Sequence, residues 1–136
     1  MPVEVHVVTP EREVWSGEAR LLVARGVDGE VGIMGGHAPL LVRLDIGPLR
    51  IHTEAEEQVA IVDGGFLHVS TEEGSTRADV LADAAQLASE VDVAAAGRRA
   101  DELRLRLEAR DGLDDDERAR IQRELKKASV RVAVAG

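Results

Sequence analysis

The chain has no cysteine and no tyrosine, and only one phenylalanine and one tryptophan among its 136 residues. Without cysteine there is no disulfide framework and no thiolate metal site, and the composition fits a reducing compartment. Nucleic-acid recognition is disfavoured twice over: there are almost no aromatic side chains for bases to stack on, and a formal charge of −9 repels phosphate. No stretch approaches the ~18 uninterrupted apolar residues of a spanning helix, so no membrane span is expected. Met1-Pro2-Val3-Glu4 lacks the basic region and apolar run of a secretory signal peptide, and none is expected. There is no P-loop and no Gly-x-Ser-x-Gly elbow, and His6, His37, His52 and His68 show no His-x-x-x-His spacing. Metal chemistry and acid–base catalysis therefore find no motif. A chain of this length buries roughly two-thirds of its unfolded surface, which supports a core without metal or disulfide.

Charge is unevenly distributed. Residues 1–89 carry 15 acidic and 6 basic side chains, a balance of −9, while residues 90–136 carry 11 of each. The shift marks two structural regions. In the first, Val3, Val5 and Val7 alternate with Glu4 and His6, the period of a half-buried strand. His6 and His68 fall at the solvent-facing positions of such alternation. Further strand candidates are Ala19–Ala24, Leu40–Leu44, Leu49–Thr53, Gln58–Val62, Phe66–Ser70 and Thr76–Ala82. Between them lie turn-forming clusters, among them Gly26-Val27-Asp28-Gly29, Gly35-Gly36, Gly47-Pro48 and Gly64-Gly65. Short strands with glycine punctuation and no alternating helices predict a β-sandwich or small barrel.

After about Asp83 the pattern becomes helical. Asp92 is placed to cap a proline-free helix over Val93–Arg110, with Gly97 inside it at a cost of roughly 1 kcal/mol relative to alanine. Gly112 provides a stop, and Asp114-Asp115-Asp116-Glu117 suits the positive end of a second helix running to about Ser129, with Val130-Arg131-Val132-Ala133-Val134 either continuing it or fraying. Ala96, Ala100, Leu103 and Leu107 form one apolar seam, and Ile121, Leu125, Ala128 and Val132 form another with the same 4-3-4 steps. These predict an antiparallel helical hairpin. Three of the eight seam residues are alanine, so its burial contributes on the order of several kcal/mol before ordering entropy is subtracted. The hairpin is expected to be marginally stable and separable. The fold class is thus α+β: an all-β sandwich over residues 1–88, then a two-helix hairpin over 89–136.

Residue-level similarity extends along nearly the whole chain. Val8-Thr9-Pro10-Glu11-Arg12, the block from Asp28-Gly29-Glu30-Val31-Gly32-Ile33 through Met34-Gly35-Gly36-His37-Ala38-Pro39-Leu40-Leu41, Gly47-Pro48-Leu49-Arg50-Ile51, Gly64-Gly65-Phe66-Leu67 and Val80-Leu81-Ala82-Asp83 closely resemble epsilon subunits of F-type ATP synthases. The resemblance implies a non-catalytic rotor subunit of a proton-translocating synthase. Its sandwich would grip the gamma subunit and rest on the c-ring. Its helices would fold against the sandwich or extend towards the alpha and beta catalytic subunits and resist hydrolysis. The implied location is peripheral, on the cytoplasmic face of a bacterial plasma membrane.

By that resemblance Glu30 and the turn Gly36-His37-Ala38-Pro39 are candidate contacts to gamma and the c-ring; turn formation alone equally accounts for the glycines, and a hydrogen bond within the loop for His37. Arg120, Arg123, Lys127 and Arg131, at steps of 3, 4 and 4, form a basic stripe on the second helix. The resemblance assigns it to acidic groups on a catalytic subunit, and an ordinary solvated face paired with Glu117 or Glu124 is the alternative. No cofactor is called for. Some relatives bind ATP through an Ile/Leu-Asp-x-x-Arg-Ala motif in this region, but here Val91-Asp92-Val93-Ala94-Ala95-Ala96 puts alanine at the arginine position. That leaves Asp92, read more simply as a helix cap, with Lys127 and Arg131 to compensate a triphosphate. Two other readings stay open on the residues alone: a free-standing adaptor acting through its hairpin, and a small enzyme built on a pair such as His37 and Asp63.

Overall fold

The computed structural model describes residues 1–109 and 112–136, which form two compact units, Met1–Leu87 and Ala88–Gly136. The first contains eight strands: β1 (Val3–Val8), β2 (Glu13–Ala19), β3 (Leu21–Gly26), β4 (Gly29–Ile33), β5 (Leu40–His52), β6 (Glu57–Glu72), β7 (Ser75–Ala82) and β8 (Ala85–Leu87). They hydrogen-bond in the order β2-β1-β7-β6-β5-β3-β4, with β8 beside β6. β1 and β7 run parallel and the other pairs antiparallel.

Two long strands make this one path into a sandwich. Leu40–Leu44 of β5 pairs with Gly65–Val69 of β6, and that half of β6 continues into β7. Ile46–His52 pairs with Glu57–Asp63, and those halves border β3 and β8. The hairpin folds over at Asp45 and Gly64, so its two halves lie in different layers. Alternation then fills the space between layers: Val3, Val5 and Val7 are fully buried, with Leu22, Ile33, Leu49, Ile51, Leu67, Val69 and Val80.

This corrects the sequence reading in four respects. Gly47-Pro48 does not separate two strands, because β5 runs straight through it. Proline is tolerated there because β3, alongside, slips register between Ala24 and Gly26, where a missing N–H breaks no regular ladder. Gly64-Gly65 likewise ends no strand but bends β6. The predicted Ala19–Ala24 strand splits at Arg20 between β2 and β3, while β4, β8 and the rest of β2 were not anticipated.

In the second unit a short 3-10 turn (Ala88–Glu90) precedes α1 (Val93–Glu108) and α2 (Asp115–Ala135), which pack on each other as a hairpin. Asp92 Oδ1 accepts from Ala95 N at 3.0 Å and Asp114 Oδ1 from Glu117 N at 2.8 Å, each capping its helix. Asp115, Asp116 and Glu117 complement the positive end of α2. The predicted end of the first helix, Arg110, lies outside the described residues. Ala100, Leu103, Ile121 and Ala128 are buried as the seams predict, but Val132 is exposed and Val130 is buried instead. Val130 lies roughly half a turn around α2 from Ala128, and α2 also contacts the 3-10 turn. Thus α2 buries more than one face, and it stays helical to Ala135, well past Ser129.

Candidate functional site

The layer containing β5, β6, β7, β1 and β2 turns a mixed surface outward. Since Leu67 and Val69 point into the core, Phe66 and His68 must point away from it. Arg43, Phe66, Leu81 and Val8 align across four strands in one row, and Leu41, His68, Asp79, His6 and Ser16 align in the next. Leu41 is 66% exposed, Leu81 54% and Phe66 48%. Large apolar side chains clustered this way on an outward sheet face are characteristic of contact surfaces. The remainder of the face is ionic. Arg77 Nε bonds both oxygens of Asp79, at 3.1 and 3.0 Å, and its Nη1 lies 3.8 Å from Glu4. Sequence reasoning did not single out this cluster. Its signal was present, since the chain's one phenylalanine occupies the parity that alternation assigns to polar residues.

The predicted contact residues lie elsewhere on the same unit. Glu30 is exposed on β4, in register with Arg25, and lines a shallow depression of about 120 Å³ with Val23, Arg25, Pro48 and Arg50. The Gly36–Pro39 turn follows β4 and is held by the end of the other layer. Gly36 N donates to Thr76 Oγ1 at 2.7 Å, Thr71 Oγ1 donates to the His37 carbonyl at 2.9 Å, and His37 Nδ1 donates to the Ala38 carbonyl at 2.8 Å. The local reading of His37 is thus satisfied, leaving the ring half-buried at the surface.

The pairing of His37 with Asp63 fails on geometry. Asp63 is buried, opposite Ile46 across the fold-over, whereas His37 is tied to Thr71, eight residues along β6. At about 3.3 Å per residue the two cannot form a catalytic pair. Among the described residues no group of three or more His, Asp or Glu is placed to hold a metal ion.

On the hairpin, Arg120 and Arg123 are exposed and Lys127 and Arg131 are half-buried. Lys127 pairs with Glu124 at 3.0 Å, and Arg131 Nη1 donates to the Lys127 carbonyl at 3.0 Å. The carboxylate of Asp92 is engaged in its cap. Among the described residues no helix is long and apolar enough to cross a membrane.

Comparison with known proteins gives a consistent result. The family profile described as "ATP synthase, Delta/Epsilon chain, beta-sandwich domain" matches residues 2–88. The chain is similar to the ATP synthase epsilon chain of Brevibacillus brevis, 44% identical over 104 residues, covering 74% of this chain and 76% of that one. It is similar to the epsilon chain of Streptomyces coelicolor at 42% over 107 residues, covering 76% and 83%. The epsilon chain of Frankia casuarinae is 47% identical over 88 residues, which are 64% of this chain but 99% of that relative. Among solved structures, a chain in the Euglena gracilis mitochondrial ATP synthase (OSCP/F1/c-ring) superposes with a TM-score of 0.82 at 19% identity, covering 99% of this chain and 82% of that one. At that identity the likeness speaks for the fold.

Proposed function

The chain belongs to the ATP synthase epsilon-chain family, and on that premise we propose that it is a non-catalytic central-stalk subunit whose sandwich grips the rotor. The observation that carries this is the outward cluster of Leu41, Phe66 and Leu81. A rigid two-layer β body transmits torque, and an apolar face on it supplies the grip. Gamma is the partner for that face, and Glu30 with the Gly36–Pro39 turn extends the contact towards gamma and the c-ring. The chain then sits peripherally on the cytoplasmic face of a bacterial membrane, held by protein contacts.

The hairpin is the restraint on hydrolysis. Its basic stripe of Arg120, Arg123, Lys127 and Arg131 matches acidic groups on the catalytic alpha and beta subunits, reached when the helices extend. A relative that is 99% spanned by an 88-residue match has no length for both units, which supports assigning grip and restraint to separate parts. With Ala95 offering no cation and Asp92 engaged in its cap, restraint here works without bound ATP. Few kcal/mol separate two packings of so thin a seam, so modest differential contacts decide between them.

The test is ATP hydrolysis by an epsilon-depleted catalytic complex given saturating full-length chain, residues 1–91, or full-length Phe66→Glu. The first two are expected to bind, with only the full-length chain slowing turnover, and Phe66→Glu to lose at least tenfold in affinity, about 1.4 kcal/mol. Equal turnover with both lengths removes the restraint. Undiminished binding of Phe66→Glu moves the grip to another face.

A further inference from the structure

His6 stands on the outward side of β1, and each of its ring nitrogens meets a carboxylate. Nε2 lies 2.8 Å from Glu4 Oε1, and Nδ1 lies 3.3 Å from Glu13 Oε1. An ionised carboxylate only accepts hydrogen bonds, and a neutral imidazole carries a single N–H. Both contacts are hydrogen bonds only in the imidazolium; the neutral ring sets a lone pair against one of the two carboxylates. The acceptors belong to different strands, Glu4 to β1 and Glu13 to β2. A register slip brings Glu13 there: Val7 opposes Trp15 but Val8 opposes Glu13, so an irregularity in the ladder re-aims the side chain.

We propose that His6 is a proton-operated latch, which fastens the edge strand β2 to β1 through Glu13 when charged and releases that edge when neutral. β2 ends the strand order, with β1 as its neighbour in the sheet, so it opens without breaking a central pairing. The surrounding charges favour such behaviour. Glu4 and Glu18 stand directly opposite each other across β1 and β2, a destabilising pair of like charges, with Glu13 nearby. From β7, Asp79 faces His6 and Arg77 faces Glu4, but Arg77 makes its short contacts to Asp79 and a longer one to Glu4. From β6, His68 stands opposite Asp79. Protonation of His6 thus offsets an excess of negative charge on this edge.

The hydrogen bond with Glu4 raises the imidazole pKa above its ordinary value; burial opposes this, the bond with Glu13 adds to it, and Arg77 opposes it. The sign follows from linkage. The Glu4 bond lies on β1 with His6 and persists when β2 opens, so the latched form differs from the open one by the Glu13 bond. That bond raises the pKa of the latched form, and the stabilisation it gives is present while His6 is charged and lost as pH rises through the latched pKa. The opening equilibrium changes by the ratio of the two acid constants.

The experiment follows the full chain by NMR from about pH 5.5 to about pH 8.5, spanning the usual histidine range. It reads the His6 ring nitrogens and the hydrogen exchange of β2 amides, corrected for intrinsic rates. The expected result is loss of β2 protection in step with His6 titration, while β6 and β7 amides stay unchanged. His6→Gln, at an outward-facing position, is expected to fold and show no pH dependence in β2. Glu13→Gln is expected to lower the His6 pKa towards its ordinary value and shrink the change. The latch is overturned if β2 protection is flat with pH, if the same dependence persists in His6→Gln, or if Glu13→Gln alters neither readout.

Discussion

Gly64 and Gly65 hold φ of 90° and 119° where β6 passes from one layer to the other. A Cβ on Gly65 would strike the carbonyl oxygen of Leu81 on the neighbouring strand. Both the backbone conformation and the close approach exclude an L side chain without movement. Gly65→Ala is therefore expected to lose about 2–4 kcal/mol in urea denaturation. A loss below about 1 kcal/mol would mean that the fold-over tolerates relaxation. The sequence identified these residues as special but misread their purpose. Glycine ends a strand or bends one with the same torsional freedom, and the outcome depends on whether the residues beyond it meet the same partner strand. The residue-scale site was legible in a similar, partial way. Phe66 stood in the sequence on the parity that alternation leaves to solvent, but Leu81 and Leu41 come from other strands, and only the pairing of β6 with β7 and β5 brings them beside it.

Helices were more legible than strands, because their signals lie within a few residues. Asp92 is a cap in the sequence and a cap in the structure, and Asp114, read from the sequence as part of an acidic run at a helix start, caps α2; each accepts from the amide three residues on. Asp92→Ala is expected to cost about 1 kcal/mol of hairpin stability. Gly97→Ala is expected to add about 1 kcal/mol, since a Cβ there meets nothing within 4 Å. Helical circular dichroism during denaturation measures both, and a destabilising Gly97→Ala would reveal an unrecognised constraint on α1. The missed strands share a physical reason. β4 contains Gly29 and Gly32, β8 is three residues long, and β2 carries a slipped register that breaks its alternation. Each is a strand because a neighbour supplies its hydrogen bonds, not because its own residues favour extension.

At the scale of the molecule, the two units differ in how much they bury. The sandwich core holds fully buried branched residues from six strands, whereas the hairpin seam relies on Ala100, Leu103, Ile121 and Ala128. Trp15, partly buried against the sandwich core, is the chain's only tryptophan, so its fluorescence reports that unit. Heating is expected to lower the helical signal at least 5 °C before Trp15 fluorescence changes, a gap that corresponds to about 1 kcal/mol in units of this size. Coincident transitions would show one cooperative molecule. Sequence alone determined the change from a period of two to a helical period, the Asp92 cap of the first helix, the inward faces of strands such as β1, and the family resemblance, because each is carried by residues close together in the chain. Tertiary structure decided that β5 and β6 run unbroken through both layers, that Phe66, Leu81 and Leu41 meet on one outward face, and that Glu13 reaches His6. Those facts depend on strand register, and register is set by partners distant in sequence whose pairing no local pattern specifies.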